Sequence, residues 1–223
     1  MVIMKKAKYV FSAMLITTYI CFNSVLVLAL GTSDVSSKEM ELLQLSKQVS
    51  DLRHYVIGAN NDKDNMKKVL EKAPQLADTL LAISDKDLSK LYQVMKHHLV
   101  SYSYMMAATV NGTGEEESLV YCQHSLEEAQ ITNQLIAKIK QMEETGEISS
   151  QQVHWIDNYI ENNAKYATAI CMAIRVRYGD ETVTTTQAID ALDDIPASYK
   201  KKYPPAKNPH LQWLQKSIEK NDS

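Results

Sequence analysis

Apolar residues recur every three or four positions through long stretches of the chain, and short polar breaks separate those stretches. Strand-like alternation of useful length is missing. Residues 36–57 read as a first helix, in which Leu42, Leu45, Val49, Leu52 and Val56 step by three and four along a narrow heptad seam. GANNDKDN then breaks the pattern; Asp62 and Asp64 lack the glycine and glutamate a calcium loop needs, so it reads as a turn. A short helix is expected over 66–73, with Pro74 opening another short helical piece. Ser84 and Asp87 form a capping-box signal, and Ile83 can staple onto Leu88. From there Leu88, Leu91, Met95, Leu99, Tyr102, Met106 and Thr109 trace one face as far as the Asn111-Gly112 stop.

Two longer helices follow, near 116–144 and 150–178, with Gly146 ending the first and Gly179 the second. The remainder holds a short helix near 185–192 and a crossing rich in proline and lysine. A last helix is launched by Asn208-Pro209, with Leu211, Leu214 and Ile218 inward. The pattern predicts an all-α fold, an antiparallel helical bundle of about four main helices plus short accessory ones, after an N-terminal export or anchor segment. The expected division is 1–31 for that segment, 32–180 for the bundle and 181–223 for a C-terminal extension.

Composition agrees. At 223 residues, 45% hydrophobic and 23% charged, the chain can bury one sizeable core, and 10 Met against 6 Gly and 5 Pro favour helices. The N-terminus changes the picture most. Lys5, Lys6 and Lys8 precede about 23 uncharged residues, a positive start and apolar run of the kind that directs export. Ala29-Leu30-Gly31 resembles a small-x-small cleavage site, while the run is also long enough to span a bilayer. Cleaved signal peptide and retained membrane anchor both stay open, and each places the body outside the cytoplasm, secreted or periplasmic. Cys21 lacks the small preceding residues of a lipid-attachment site. Removing the three lysines takes the net charge from −3 to −6, which argues against nucleic acid as a partner. Lys200-Lys201-Lys202, beside Tyr199 and Tyr203, reads as a solvated loop.

Candidate chemistry centres on VYCQHSLEEAQ, residues 120–130. On a helix Cys122 and His124 point in nearly opposite directions and cannot share a site. Cys122 has a better partner in Cys171: halfway between them is the Gly146-Glu147 turn, so an antiparallel hairpin brings both to one height on its apolar interface. Outside the cytoplasm that pair is expected to form a structural disulfide. His124, Glu128 and Glu117 share one stripe and are the candidate metal or ligand group, with His98 a second candidate. His154, Asp157 and Glu161 form another stripe, about 22 Å from His124 in height. His98 reads as inward and His97 as outward.

Both phenylalanines lie in the export segment, so the body relies on tyrosines: Tyr55, Tyr92, Tyr102, Tyr104, Tyr121, Tyr159, Tyr166 and Tyr178. Several fall at face borders, where a ring buries and its hydroxyl stays wet. Enzyme motifs are missing: no nucleophile elbow, His-Glu-x-x-His, phosphate loop or dinucleotide glycine pattern. Asn111 and Asn221 head glycosylation-type triplets that read as turn and tail.

The expected function is a non-enzymatic binding or interaction module, exported or tethered to the membrane. The alternative is a carrier of a small ligand or metal; an enzyme without a recognisable motif ranks third. No cofactor is implied. The expected partner is a protein of unknown identity, with self-association possible through the first-helix coiled-coil seam and membrane contact only through residues 1–31.

Overall fold

The structure is a computed structural model that describes residues 35–58, 63–110 and 114–221. The proposed export segment, Cys21 and the Asn111 turn lie outside those residues. Among the described residues the chain is entirely helical, with no strand. In order it forms α1 (Ser37–Gly58), α2 (Lys63–Leu81), α3 (Lys90–Thr109), α4 (Glu115–Glu144) and α5 (Ser150–Trp155). A π-helical segment (Ile156–Glu161) leads into α6 (Asn162–Arg177), followed by α7 (Thr185–Asp193), α8 (Ala197–Lys202) and α9 (Pro209–Asn221). None of these helices is long and apolar enough to cross a membrane.

The core is built around α3. Positions 91–101 and 103–109 are all buried, because α1, α2, α4 and α6 each pack against this one helix. A helix enclosed on every side needs little charge and small side chains at its crossings. Its sequence meets both needs after Lys90, apart from Lys96 and two histidines. At the crossing with α4, Ser101 donates to the Ser125 carbonyl and Ser125 to the Ser101 carbonyl, both at 2.8 Å. The reciprocal pair satisfies two buried hydroxyls and holds the backbones close.

The first-helix seam faces inward. Leu42, Leu45, Val49 and Leu52 are buried where α1 meets α2 and α3, and Val56 lies partly exposed one turn further on. These residues are core in the described chain, not an outer face offered to a second copy.

Three local expectations change. α2 runs unbroken through Pro74, where two short helices were expected. An interior proline costs roughly 3 kcal/mol, but Val69, Ala73, Leu76, Ala77 and Leu80 all bury on one face, at roughly 1.5–3 kcal/mol for each large side chain. Ser84 caps only the 3₁₀ turn Asp85–Asp87, and α3 begins after Ser89. The amide of Ser89 is taken by Glu39 of α1 at 3.0 Å, a partner fifty residues away. Glu39 also accepts from the Ser36 amide at 2.9 Å while its own amide donates to Ser36 Oγ at 3.2 Å, so one carboxylate serves the starts of two helices. The lysine-rich crossing is helical too: Ile195 and Tyr199 bury and tie α8 down.

Gly146, with φ of 77°, reverses the chain, and a Ser149–Gln152 capping box starts α5. The hairpin returns α6 along α4. Cys122 and Cys171 are both fully buried and approach to 3.5 Å, but they are free thiols and the expected disulfide does not form. A bonded pair would sit near 2.05 Å. The contact with Cys171 and burial together push the Cys122 thiol far above its ordinary range, which suppresses the thiolate that oxidation requires.

Candidate ligand-binding site

The end of α1 carries one charged residue among its apolar positions. Arg53 lies four after Val49 and three before Val56, so helical spacing turns it toward the same interior. There it meets α3 through Tyr102, Met105 and Met106, α2 through Met66 and Val69, and α6 through Tyr166 and Ile170. The fourth side is the segment from Tyr199 to Pro209, where α8 gives way to Pro204 and a 3₁₀ turn. These elements line a cavity of about 640 Å³ that is open to solvent on one side. That is within the roughly 300–1,000 Å³ of small-molecule sites.

The cavity lining combines a polar, aromatic group with apolar side chains. The Arg53 guanidinium lies 4.7 Å from the Tyr203 ring centre and 5.7 Å from that of Tyr102, in cation–π contact with both. It also hydrogen-bonds Tyr159, whose position is set by the π-helical segment. Burial opposes the charge, but the negative charge that Tyr102, Tyr159, Tyr203 and Tyr199 carry once ionised outweighs it, and the pKa lies above the ordinary value. Tyr199 and Tyr203 lie 4.8 Å apart, and Tyr166 sits 5.7 Å from Tyr199 and 6.4 Å from Tyr203.

Asn163, buried on α6, holds this aromatic group in place. It accepts a hydrogen bond from the Tyr199 hydroxyl and donates to the Tyr159 carbonyl at 2.7 Å. Burial raises Tyr159 and Tyr166 to about 12, and Tyr102 and Tyr199 upward as well, so these phenols are neutral donors at physiological pH. Behind Tyr102, at 5.9 Å between rings, His98 is fully buried; burial first, then the Arg53 charge, lower its pKa to about 3. It is therefore neutral, does not line the cavity, and its Nδ1 has no hydrogen-bond partner among the described residues.

The other candidates part company. Glu128 bonds not His124 but His97, at 2.6 Å to Nδ1, while Asp85 takes the other ring nitrogen at 3.1 Å. Lys96 completes this network by pairing with Asp85 and donating to the Ile83 carbonyl at 3.1 Å. His97, read as outward, is 6% exposed, because α3 is enclosed by α4 on the side the single-face reading left open. His124 is half-exposed, lies 5.2 Å from the Tyr104 ring and 3.6 Å from Glu127; Glu117 accepts from Tyr121 at 3.4 Å. Lys140 pairs with both Asp157 and Glu161 at 3.0 Å, and His154 contacts Asn158. Among the described residues no three His, Cys, Asp or Glu side chains converge as a metal site.

Sequence reasoning flagged the border tyrosines, three of which, Tyr102, Tyr159 and Tyr166, prove to belong to one cluster with Arg53, but it passed over Arg53. The available signal was its position: the one charge flanked by seam residues at both helical spacings. Comparison of the chain with known protein families, curated proteins and solved structures finds no match. The geometry alone defines the class of site, a tyrosine-walled cationic cavity in an all-helical protein.

Proposed function

We propose that this chain is a non-enzymatic binding protein that holds a small organic ligand in the cavity between Arg53 and Ile170. The observation that carries the reading is a cleft of about 640 Å³ lined by four helices and the C-terminal segment, with a few polar groups among mainly apolar and aromatic ones. The aromatic wall is suited to binding and not to chemistry. The phenols of Tyr159 and Tyr166 are held protonated well above physiological pH, and His98 is neutral and outside the lining, so none of these described groups is poised as a base. The helices act in this reading as an antiparallel bundle working outside the cytoplasm, which the positive, apolar start of the sequence supports.

Native mass spectrometry tests the proposal. Protein purified without added ligand, or incubated with an organic extract of its source, is expected to carry a discrete small-molecule adduct. Val56→Trp, at a partly exposed point of the wall, is expected to remove that adduct while the helical circular dichroism is unchanged. An adduct that survives the substitution, or none under either condition, overturns the reading.

A further inference from the structure

We infer that the cavity selects an amphipathic organic acid: an anionic carboxylate, sulfonate or phosphate head held by Arg53, and an apolar body laid along the methionine wall. The inference rests on the binding reading above and adds the chemistry of the ligand. Its first support is charge. Among the described residues the lining includes Arg53, Lys202 and Lys207 and not one Asp or Glu, in a chain that carries 27 acidic residues against 24 basic ones. An exposed patch can gather cations cheaply, but Arg53 is largely withdrawn from water, and no carboxylate among the described residues pairs with it. Its neighbours are ring faces and neutral phenols, which soften the cost of burying the charge without neutralising it. A guanidinium in that state presents a planar fork of donors suited to a two-oxygen head.

The second support is the set of donors around it. Tyr102, Tyr166 and Tyr203 line the cavity, and their hydroxyls form no hydrogen bond with another described residue. Burial keeps Tyr102 and Tyr166 protonated, so they can donate to an anion and do not repel it. The third support is the apolar part of the lining. Val56, Met66, Val69, Met105, Met106 and Ile170 offer an apolar surface, and methionine adapts to varied shapes. A purely polar anion would waste that wall, and a neutral hydrocarbon would leave Arg53 unanswered.

Two matched probes separate these terms: 1-anilinonaphthalene-8-sulfonate, and N-phenyl-1-naphthylamine, which has the same rings without the sulfonate. Titrated into the full chain by fluorescence, the sulfonate is expected to bind at least about tenfold more tightly. Arg53→Gln is expected to remove most of that preference while changing the neutral probe's affinity less than about twofold. If Arg53→Gln does not fold, the wild-type protein answers instead: raising salt should weaken the sulfonate alone, and Lys202→Gln with Lys207→Gln should reduce its affinity in the same direction. Equal affinity for the two probes, or a sulfonate affinity indifferent to salt and to these variants, overturns the anionic assignment. Blocking of the neutral probe by Val56→Trp would then still uphold the cavity as a binding site. Binding of neither probe overturns the anionic assignment, and the absence of any native adduct would separately end the binding reading.

Discussion

Two histidines bury without charge, and each should make the fold sensitive to mild acid. Burial, with Arg53 beside it, lowers His98 to about 3; burial, with Arg177, lowers His210 to about 4. An unfolded imidazole takes its proton near 6.5. The stability these groups contribute is therefore intact above about 6.5 and is lost as pH falls toward 4, because the unfolded state then binds protons that the folded state refuses. Each can remove up to about 1.4 kcal/mol per pH unit in that window. Urea denaturation at pH 7, 6 and 5 should show the slope, and His210→Asn should flatten it. At the same scale, Cys122 and Cys171 are expected to stay unlabelled by a maleimide in the native protein, and both to be alkylated in denaturant without reductant, as read by peptide mass. Cys122→Ser should cost about 1–3 kcal/mol, since a hydroxyl replaces a thiol in a fully buried contact. Equal spacing from a turn predicts proximity, and these two residues do meet. Spacing says nothing about bonding, which depends on thiolate formation and on sulfur separation.

The helix starts show how far local signals reach. Ser149 with Gln152, and Thr184 with Gln187, form capping boxes at the beginnings of α5 and α7, so everything needed lies within four residues. The start of α3 cannot be read that way, because its Ser89 amide is bonded by Glu39 from α1. For the same reason Glu39 is a strong test of element-level coupling. Glu39→Ala strips an acceptor from the Ser36 and Ser89 amides together and is expected to lower unfolding free energy by about 2–4 kcal/mol. Glu39→Gln keeps one oxygen and should lose roughly half as much. Both values come from urea denaturation followed by circular dichroism; a loss below about 0.5 kcal/mol for the alanine variant would show that α1 and α3 start independently. Pro74 teaches a related lesson: a breaker at one position loses to five buried side chains on one face.

Across the molecule, helical class and the hairpin at Gly146 follow from periodicity and turn residues, which are properties of neighbouring positions. The cavity does not, because Arg53, Tyr102, Tyr166 and Tyr203 come from four separate stretches and become neighbours only in the folded chain. The π-helical segment that aims Tyr159 is equally silent in the sequence, since its extra residue per turn leaves the apolar spacing of Ile156 and Ile160 intact. The seam of α1 is the place where sequence offers two whole-molecule answers, a dimer stripe or an internal core, with the same residues. Packing distinguishes them physically. Leu45 and Leu52 are 7% and 3% exposed within a single described chain, so a carboxylate there would be stranded among α2 and α3 without a partner. Leu45→Ala should therefore cost about 2–5 kcal/mol, and Leu45→Glu or Leu52→Glu should abolish the cooperative thermal transition outright. Circular dichroism melts with light scattering on the same samples decide the matter. A variant that stays folded with an unchanged melting curve and half the mass would mean that the seam serves a second copy, and that the packing of α1 against α2 and α3 is not what holds this protein together.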